Sequence, residues 1–123
     1  MKTPKRPELD ELFHQPIRLE IMAELCSTAD GCSFISLREK CDLSDGNLSR
    51  HLQALAQASA IKIQKSFIKS KPHTSVTATK RGRESFLNYL DNLEQVLHHA
   101  LDRAKKSEVE HLKSLPGAKR AAE

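Results

Sequence analysis

Leu43-Ser44-Asp45-Gly46-Asn47-Leu48-Ser49-Arg50-His51-Leu52 is the most informative stretch of this chain. Ser44 has the chemistry of a helix N-cap, and Asp45 places a negative charge in the first turn, where the helix dipole favours it. When residues 45–57 are placed at about 100° per residue, Leu48, Leu52 and Leu55 share one side, which must turn to a core. The other side holds Gly46, Asn47, Arg50, Gln53, Ala54 and Gln57, with Ser44 and Ser49 near the helix start. A solvated helix face ordinarily mixes Glu and Lys at helical spacing. This one has neither, and Gly46 lowers helix stability. Arg can bond a guanine edge twice, and Asn and Gln can do the same for adenine. Hydroxyls and free N–H groups at a helix start suit phosphate. The pattern predicts a helix over about 44–57 in the major groove of duplex DNA, contacting it through Ser44, Gly46, Asn47, Ser49, Arg50, Gln53 and Gln57. His51 is expected beside this helix, within reach of a phosphate.

Upstream, Ser36-Leu37-Arg38-Glu39 has the form of a capping box and predicts a short helix from Ser36 to about Cys41. Asp42 and Leu43 leave room only for a tight turn. A short helix, a tight turn and a longer helix are the components of a helix-turn-helix. Earlier still, Pro16 suits the first position of a helix. Ile17, Ile21 and Leu25, with Met22, give it one apolar side before the Asp30-Gly31 turn. Leu9 to Phe13 predicts one or two further helical turns.

Downstream, Ile61 to Phe67 alternates and is rich in β-branched residues, which predicts a strand; Thr74 to Thr77 predicts a second. Lys69 to His73 is expected as a polar hairpin loop between them. Thr79 is placed to cap a final helix. On that helix Phe86, Leu90, Leu93, Leu97 and Ala100/Leu101 recur at spacings of three and four, about two heptads of a helix–helix seam. The element order is helix, helix, helix, strand, loop, strand, long helix. It predicts a mainly α fold with a small β-wing (α+β), a winged helix-turn-helix carrying a long C-terminal helix. The expected divisions are an arm at 1–7, the winged domain at 8–79, the long helix at 80–115 and a frayed tail at 116–123.

The charge distribution supports the same reading. The net charge of +4 over 123 residues is small. Residues 62–83, however, carry Lys62, Lys65, Lys69, Lys71, Lys80, Arg81 and Arg83 and no acidic side chain. Like charges this close repel one another, and a polyanion relieves the repulsion. Lys80, Arg81 and Arg83 also stand in the first turn of the last helix, where positive charge opposes the dipole. Phosphate contacts from Lys65, Lys69, Lys71, His73, Lys80, Arg81 and Arg83 would explain both features, with the loop tip on the backbone or in a minor groove.

These segments resemble small winged-helix transcriptional regulators related to MarR. The quoted stretch is similar to their L-x-D-G-N-L-S-x-H-L signature. Lys65-x-Phe67, Pro72-x-Thr74, Thr79-x-x-Gly82-Arg83-x-x-Phe86 and Pro16-x-Arg18-x-x-Ile21 follow the family in order and spacing, so the likeness spans about residues 9–97. It implies a homodimer that binds an operator in double-stranded DNA. It also implies that Leu9, Leu12, Phe13, Phe86, Tyr89, Leu90, Leu93, Val96, Leu97, Ala100 and Leu101 form the dimer interface. The chain departs from the family at Ala58-Ser59-Ala60, where a glycine usually permits a left-handed helix end.

Other classes find less support. No apolar run of about 18 residues is present, so no membrane-spanning helix is predicted, and the first residues lack an apolar signal core. A cytoplasmic location is expected. Cys26, Cys32 and Cys41 form no C-x-x-C, and His98 with Asp102 lacks a third ligand, so neither metal nor cofactor is expected. A thiol sensing role stays open. No Gly-rich phosphate loop, nucleophile elbow or paired catalytic carboxylates argue for an enzyme. Two alternatives stand beside the DNA reading. One is a winged-helix protein–protein module. The other is a ligand-gated regulator with an unidentified small-molecule effector, for which the sequence shows no recognisable site.

Overall fold

The computed structural model describes residues 8–115. The expected arm at 1–7 and tail at 116–123 lie outside the described residues. The element order is α1 (Pro16–Cys26), β1 (Cys32–Ser33), α2 (Phe34–Lys40), α3 (Asp45–Gln57), β2 (Ile61–Ile68), β3 (Lys71–Ala78) and α4 (Lys80–Ser114). The strands form an antiparallel sheet in the order β1-β3-β2. The fold is therefore a winged helix with a long last helix. The described residues fall into two compact units, Leu9–Leu90 and a second that begins at Asp91 and includes Glu8. The sequence predicts a division after residue 79. The first unit runs on to Leu90, because Gly82, Phe86 and Tyr89 of α4 are buried in it. In the second unit, Asn92 Nδ2 donates to the Glu8 carbonyl at 2.9 Å.

The core of the first unit is made by the residues that helical periodicity selects. Ile21, Met22 and Leu25 of α1, Leu37 of α2 and Leu48, Leu52 and Leu55 of α3 are all essentially inaccessible. Val76 of β3 closes the sheet side of this core. Each such side chain stabilises the fold by roughly 1.5–3 kcal/mol relative to exposure.

Three local departures from expectation have clear physical causes. The short helix α2 starts at Phe34, two residues before Ser36, and its cap is Ser33, whose Oγ accepts from Ser36 N at 3.0 Å. Ser33 is extended because β1 pairs it with Ser75 of β3, and the helix begins where that pairing ends. Strand β1 has only two residues, too few to show alternation. Finally, the hairpin has no five-residue loop. Lys71, Pro72 and His73 belong to β3, and the turn is Lys69-Ser70 alone, both left-handed at φ 53° and 67°. Two successive positive φ values define a type I′ turn, whose twist matches the strands. Pro72 is tolerated because β1 pairs β3 only at Val76 and Ser75, so β3 has a free edge at its start.

Both helices of the helix-turn-helix end in the same way. After α2, Asp42 takes φ 55°, Leu43 N donates to the Arg38 carbonyl at 3.0 Å and Asp42 N to the Glu39 carbonyl at 3.3 Å. After α3, Ser59 takes φ 63°, Ala60 N donates to the Leu55 carbonyl at 2.9 Å and Ser59 N to the Ala56 carbonyl at 3.0 Å. These are Schellman ends built without glycine. The missing glycine at Ala58-Ser59-Ala60 thus leaves the geometry unchanged and adds backbone strain at Ser59. Ser59→Gly is expected to stabilise the fold by about 0.5–1 kcal/mol, the left-handed penalty less the extra chain entropy of glycine. Thermal unfolding checks it, and an unchanged or lower Tm would show that Ser59 is not strained.

Candidate nucleic-acid interface

Helix α3 presents the predicted face. Ser44 caps it, its Oγ accepting from Asn47 N at 3.2 Å, which leaves the hydroxyl proton free to donate outward. Gly46, Arg50, Gln53 and Gln57 are exposed; Asn47, Ser49 and Ala54 are half-buried. Arg50 Nη2 donates to Asn47 Oδ1 at 2.6 Å, so two of the predicted base readers hold each other. A guanidinium has five N–H donors, and this bond occupies one. Asp45, the one acid in the first turn, is bonded to Arg38 Nη1 at 2.6 Å, so its charge is locally offset.

His51 departs from expectation. It is buried at 8% exposure and its Nδ1 accepts from Arg18 Nε at 3.1 Å. Burial first, then the charges of Arg18 and Arg50, push its pKa below the ordinary value. A neutral imidazole turned inward serves as a structural link to Arg18, which also donates to the Leu12 carbonyl at 3.3 Å.

The hairpin carries exposed Lys62, Lys65, Lys69 and Lys71, with His73 half-buried. Register divides them between two faces. Ile61, Ile63, Lys65 and Phe67 alternate onto the core side together with their partners Ala78, Val76, Thr74 and Pro72. Lys62, Lys71 and His73 lie on the opposite face. Between the hairpin and the helices is an open cleft lined by Phe34, Ser49, Leu52, Gln53, Ile63, Lys65 and Thr74, with a volume of about 320 Å³.

The first turn of α4 divides the predicted cationic cluster. Lys80 and Arg81 are exposed. Arg83 is turned inward and half-buried: its guanidinium donates to the carbonyls of Cys26 at 3.0 Å, Thr28 at 2.8 Å and Leu25 at 3.5 Å. It caps the C-terminus of α1, where the dipole favours a cation. Sequence reasoning missed this because the partners lie 55–58 residues away and are backbone atoms. Thr79 caps α4 as predicted, its Oγ1 accepting from Gly82 N at 2.8 Å. At Gly82 a Cβ would stand 1.9 Å from the Ala60 carbonyl oxygen, a close approach that the sequence motif does not reveal.

The expected dimer residues also separate. Phe13, Phe86 and Tyr89 are at most 2% exposed and form an aromatic cluster, with Phe13 edge-on to Phe86 at 5.4 Å between ring centroids. The Tyr89 hydroxyl bonds His14 Nδ1 at 2.8 Å. These three belong to the chain's own core, which removes them from an interface. Helical spacing of apolar residues cannot by itself distinguish the two uses. Leu9, Leu12, Leu90, Leu93 and Val96 are half-buried, and Ala100 is exposed. Leu97 and Leu101 are exposed, as are Val109, Leu112 and Leu115 further along.

Cys26, Cys32 and Cys41 are free thiols. Burial is the main cause that raises the pKa of Cys26 and Cys41, which keeps both protonated at neutral pH and slow as nucleophiles. Among the described residues no three His, Cys, Asp or Glu side chains converge as a metal site requires, and no helix is long and apolar enough to cross a membrane.

A capped helix with an open polar face, beside a basic two-stranded wing, defines a winged-helix DNA-binding domain. Residues 17–97 match the family described as "Winged helix DNA-binding domain", and the chain belongs to that family. It is 35% identical over 86 residues to the uncharacterized protein MJ0432 of Methanocaldococcus jannaschii, covering 70% of this chain and 92% of that protein. Among solved structures it is similar to a transcriptional regulator homologue from Pyrococcus horikoshii, with a TM-score of 0.68, 28% identity, and coverage of 74% of this chain and 89% of that one. The fold is shared with S. aureus MepR, solved as a DNA complex (TM-score 0.56, 15% identity, 80% and 82% covered). It is also shared with the homodimeric winged helix-turn-helix domain of Mb0332 from Mycobacterium bovis (TM-score 0.57, 15% identity, 72% and 78% covered).

Gly46 has nothing within 4 Å of where a Cβ would stand, so packing does not require it. Gly46→Ala is expected to stabilise the isolated protein by up to about 1 kcal/mol through helix propensity. It should also weaken DNA binding by crowding the groove. A Tm scan and a binding titration on the same variant check both effects, and unaltered DNA affinity would take Gly46 out of the interface.

Proposed function

We propose that this chain is a sequence-specific, double-stranded-DNA-binding transcriptional regulator that acts as a homodimer. In this reading α3 enters the major groove, which is about 12 Å wide and admits a helix. Asn47, Arg50, Gln53 and Gln57 meet base edges, while Gly46 lets the backbone approach. Ser44 and Ser49 donate to phosphates. The hairpin lies along the backbone or in the adjacent minor groove, where Lys65, Lys69, Lys71 and His73, with Lys80 and Arg81 of α4, neutralise phosphates. The exposed stripe on α4, with Leu97 and Leu101 at its centre and Leu90, Leu93, Val96 and Ala100 beside it, pairs with a second copy. MepR, captured on DNA, and the homodimeric Mb0332 domain support the reading by analogy of fold.

The observation that carries it is the Arg50–Asn47 pair on an exposed helix face free of unpaired acid. Asn47 fixes one amino group of the exposed Arg50 and leaves the other donors of its fork free. A two-fold pair of such helices, about 34 Å apart, would read a pseudo-palindrome across successive major grooves.

Selection of binding sites from a random duplex pool tests the base-reading role. Arg50→Ala is expected to relax preference at one position of each half-site, costing about 1–3 kcal/mol against the wild-type sequence. Identical selected motifs for wild type and variant would exclude Arg50 from readout. Replacing Lys69 and Lys71 together by Ala should weaken binding to every sequence alike. The log–log salt slope should become shallower by up to about 3.6 for the four charges of a dimer. An unchanged slope would mean that the turn of the wing does not touch phosphate.

A further inference from the structure

The wing carries more than charge. Phe67 is 74% exposed, the most exposed large apolar side chain among the described residues, and Ile68 beside it is 52% exposed. Phe67 pairs across the hairpin with exposed Pro72 on one face of the ribbon. Along the same face the sheet runs inward through Lys65 and Thr74 to buried Val76 and Ile61, so this pair continues the core face past the end of the core. The type I′ turn at Lys69-Ser70 closes the hairpin with two residues, which keeps the tip narrow.

Phosphate neutralisation does not need an aromatic ring in water. Lysines on a polar ribbon would suffice, and an exposed phenyl group offers apolar area whose burial against a partner would add affinity. Apolar Phe67 and Pro72 share their face with Lys65, Lys69 stands in the turn and Lys71 on the opposite face, and the stretch has no acid to repel a polyanion. An apolar centre flanked by cations is complementary to the minor groove of duplex DNA. There, sugars and base edges form the floor and phosphates form both rims. The groove is about 6 Å wide, too narrow for a ribbon whose two backbones alone stand about 4.8 Å apart, so it is the side chains at the tip that would enter it. Apolar wedges such as Phe and Pro are known to part base steps in that groove.

We propose that Phe67, backed by Pro72, is an apolar wedge that enters the minor groove beside the α3 site and unstacks a base step there. This rests on the DNA-binding reading above and adds an element to it. The wing then contributes affinity that salt does not screen, and a preference for steps that open easily, such as TA and CA/TG. Sequence preference would therefore extend to positions that α3 does not reach.

The test uses the full chain and the duplex it selects from a random pool, with 2-aminopurine placed at successive positions. Wild type is expected to raise 2-aminopurine fluorescence at one step flanking each major-groove contact. Phe67→Ala should abolish that rise and bind about tenfold more weakly, the effect of losing one base–aromatic contact, with an unchanged salt slope. Phe67→Leu should retain part of the rise. Because the ring is exposed, both variants should keep the wild-type Tm. Equal affinity for wild type and Phe67→Ala, or a fluorescence rise that survives the Ala variant, would overturn the wedge while leaving the α3 site standing. Failure of wild type to bind any duplex at low salt would remove the DNA-binding reading and the wedge with it.

Discussion

Everything in this winged helix hangs on the close approach of α4 to the backbone of Ala60. Gly82 rests against the Ala60 carbonyl at a distance that admits no side chain. Thr79 bonds that carbonyl through its own N–H at 3.0 Å, and its hydroxyl donates to the Ser59 carbonyl at 2.7 Å. Ala60 is also the residue that completes the Schellman end of α3 and leads into β2. One small junction thus ties together the end of the recognition helix, both ends of the hairpin and the start of the last helix. Arg83, one residue on, extends the junction to the end of α1. The angle between the wing and α3 is set here, by Ser59, Ala60, Thr79 and Gly82, none of which is among the proposed DNA contacts.

This constraint assigns the basic residues their separate uses. The run from Lys62 to Arg83 is continuous in sequence but serves two ends in space. Arg83 is folded inward to cap α1, whereas the lysines of the hairpin have no internal carbonyl or carboxylate to satisfy among the described residues. The surplus positive charge lies on the wing. Function then follows from geometry: α3 offers directional donors and acceptors at close range, and the wing offers charge, with an apolar tip.

The recognition helix was the most legible part, because its cap, its leucine spacing and its polar face are all local patterns. The long helix was legible in extent, but its apolar stripe has two owners. Phe86 and Tyr89 fill the core with Phe13, and Leu97 and Leu101 stay exposed, a distinction that periodicity does not contain. The hairpin was partly legible. Its turn was obscured because Lys69 and Ser70 take positive φ without the usual Asn-Gly signature, and because Pro72 argues against a strand until its free edge is seen. Strand β1, the start of α2 at Phe34 behind its Ser33 cap and the inward turns of Arg83 and His51 depend on partners distant in sequence. No local reading could have supplied them.

The most direct measurement is a fluorescence anisotropy titration of the purified protein onto a duplex from upstream of its own gene, with a scrambled duplex as control, at two salt concentrations. Tight binding that prefers the upstream duplex and weakens steeply with salt is the predicted result. Absence of binding to either duplex at low salt would contradict the account, and would leave the same fold to serve as a surface for another protein.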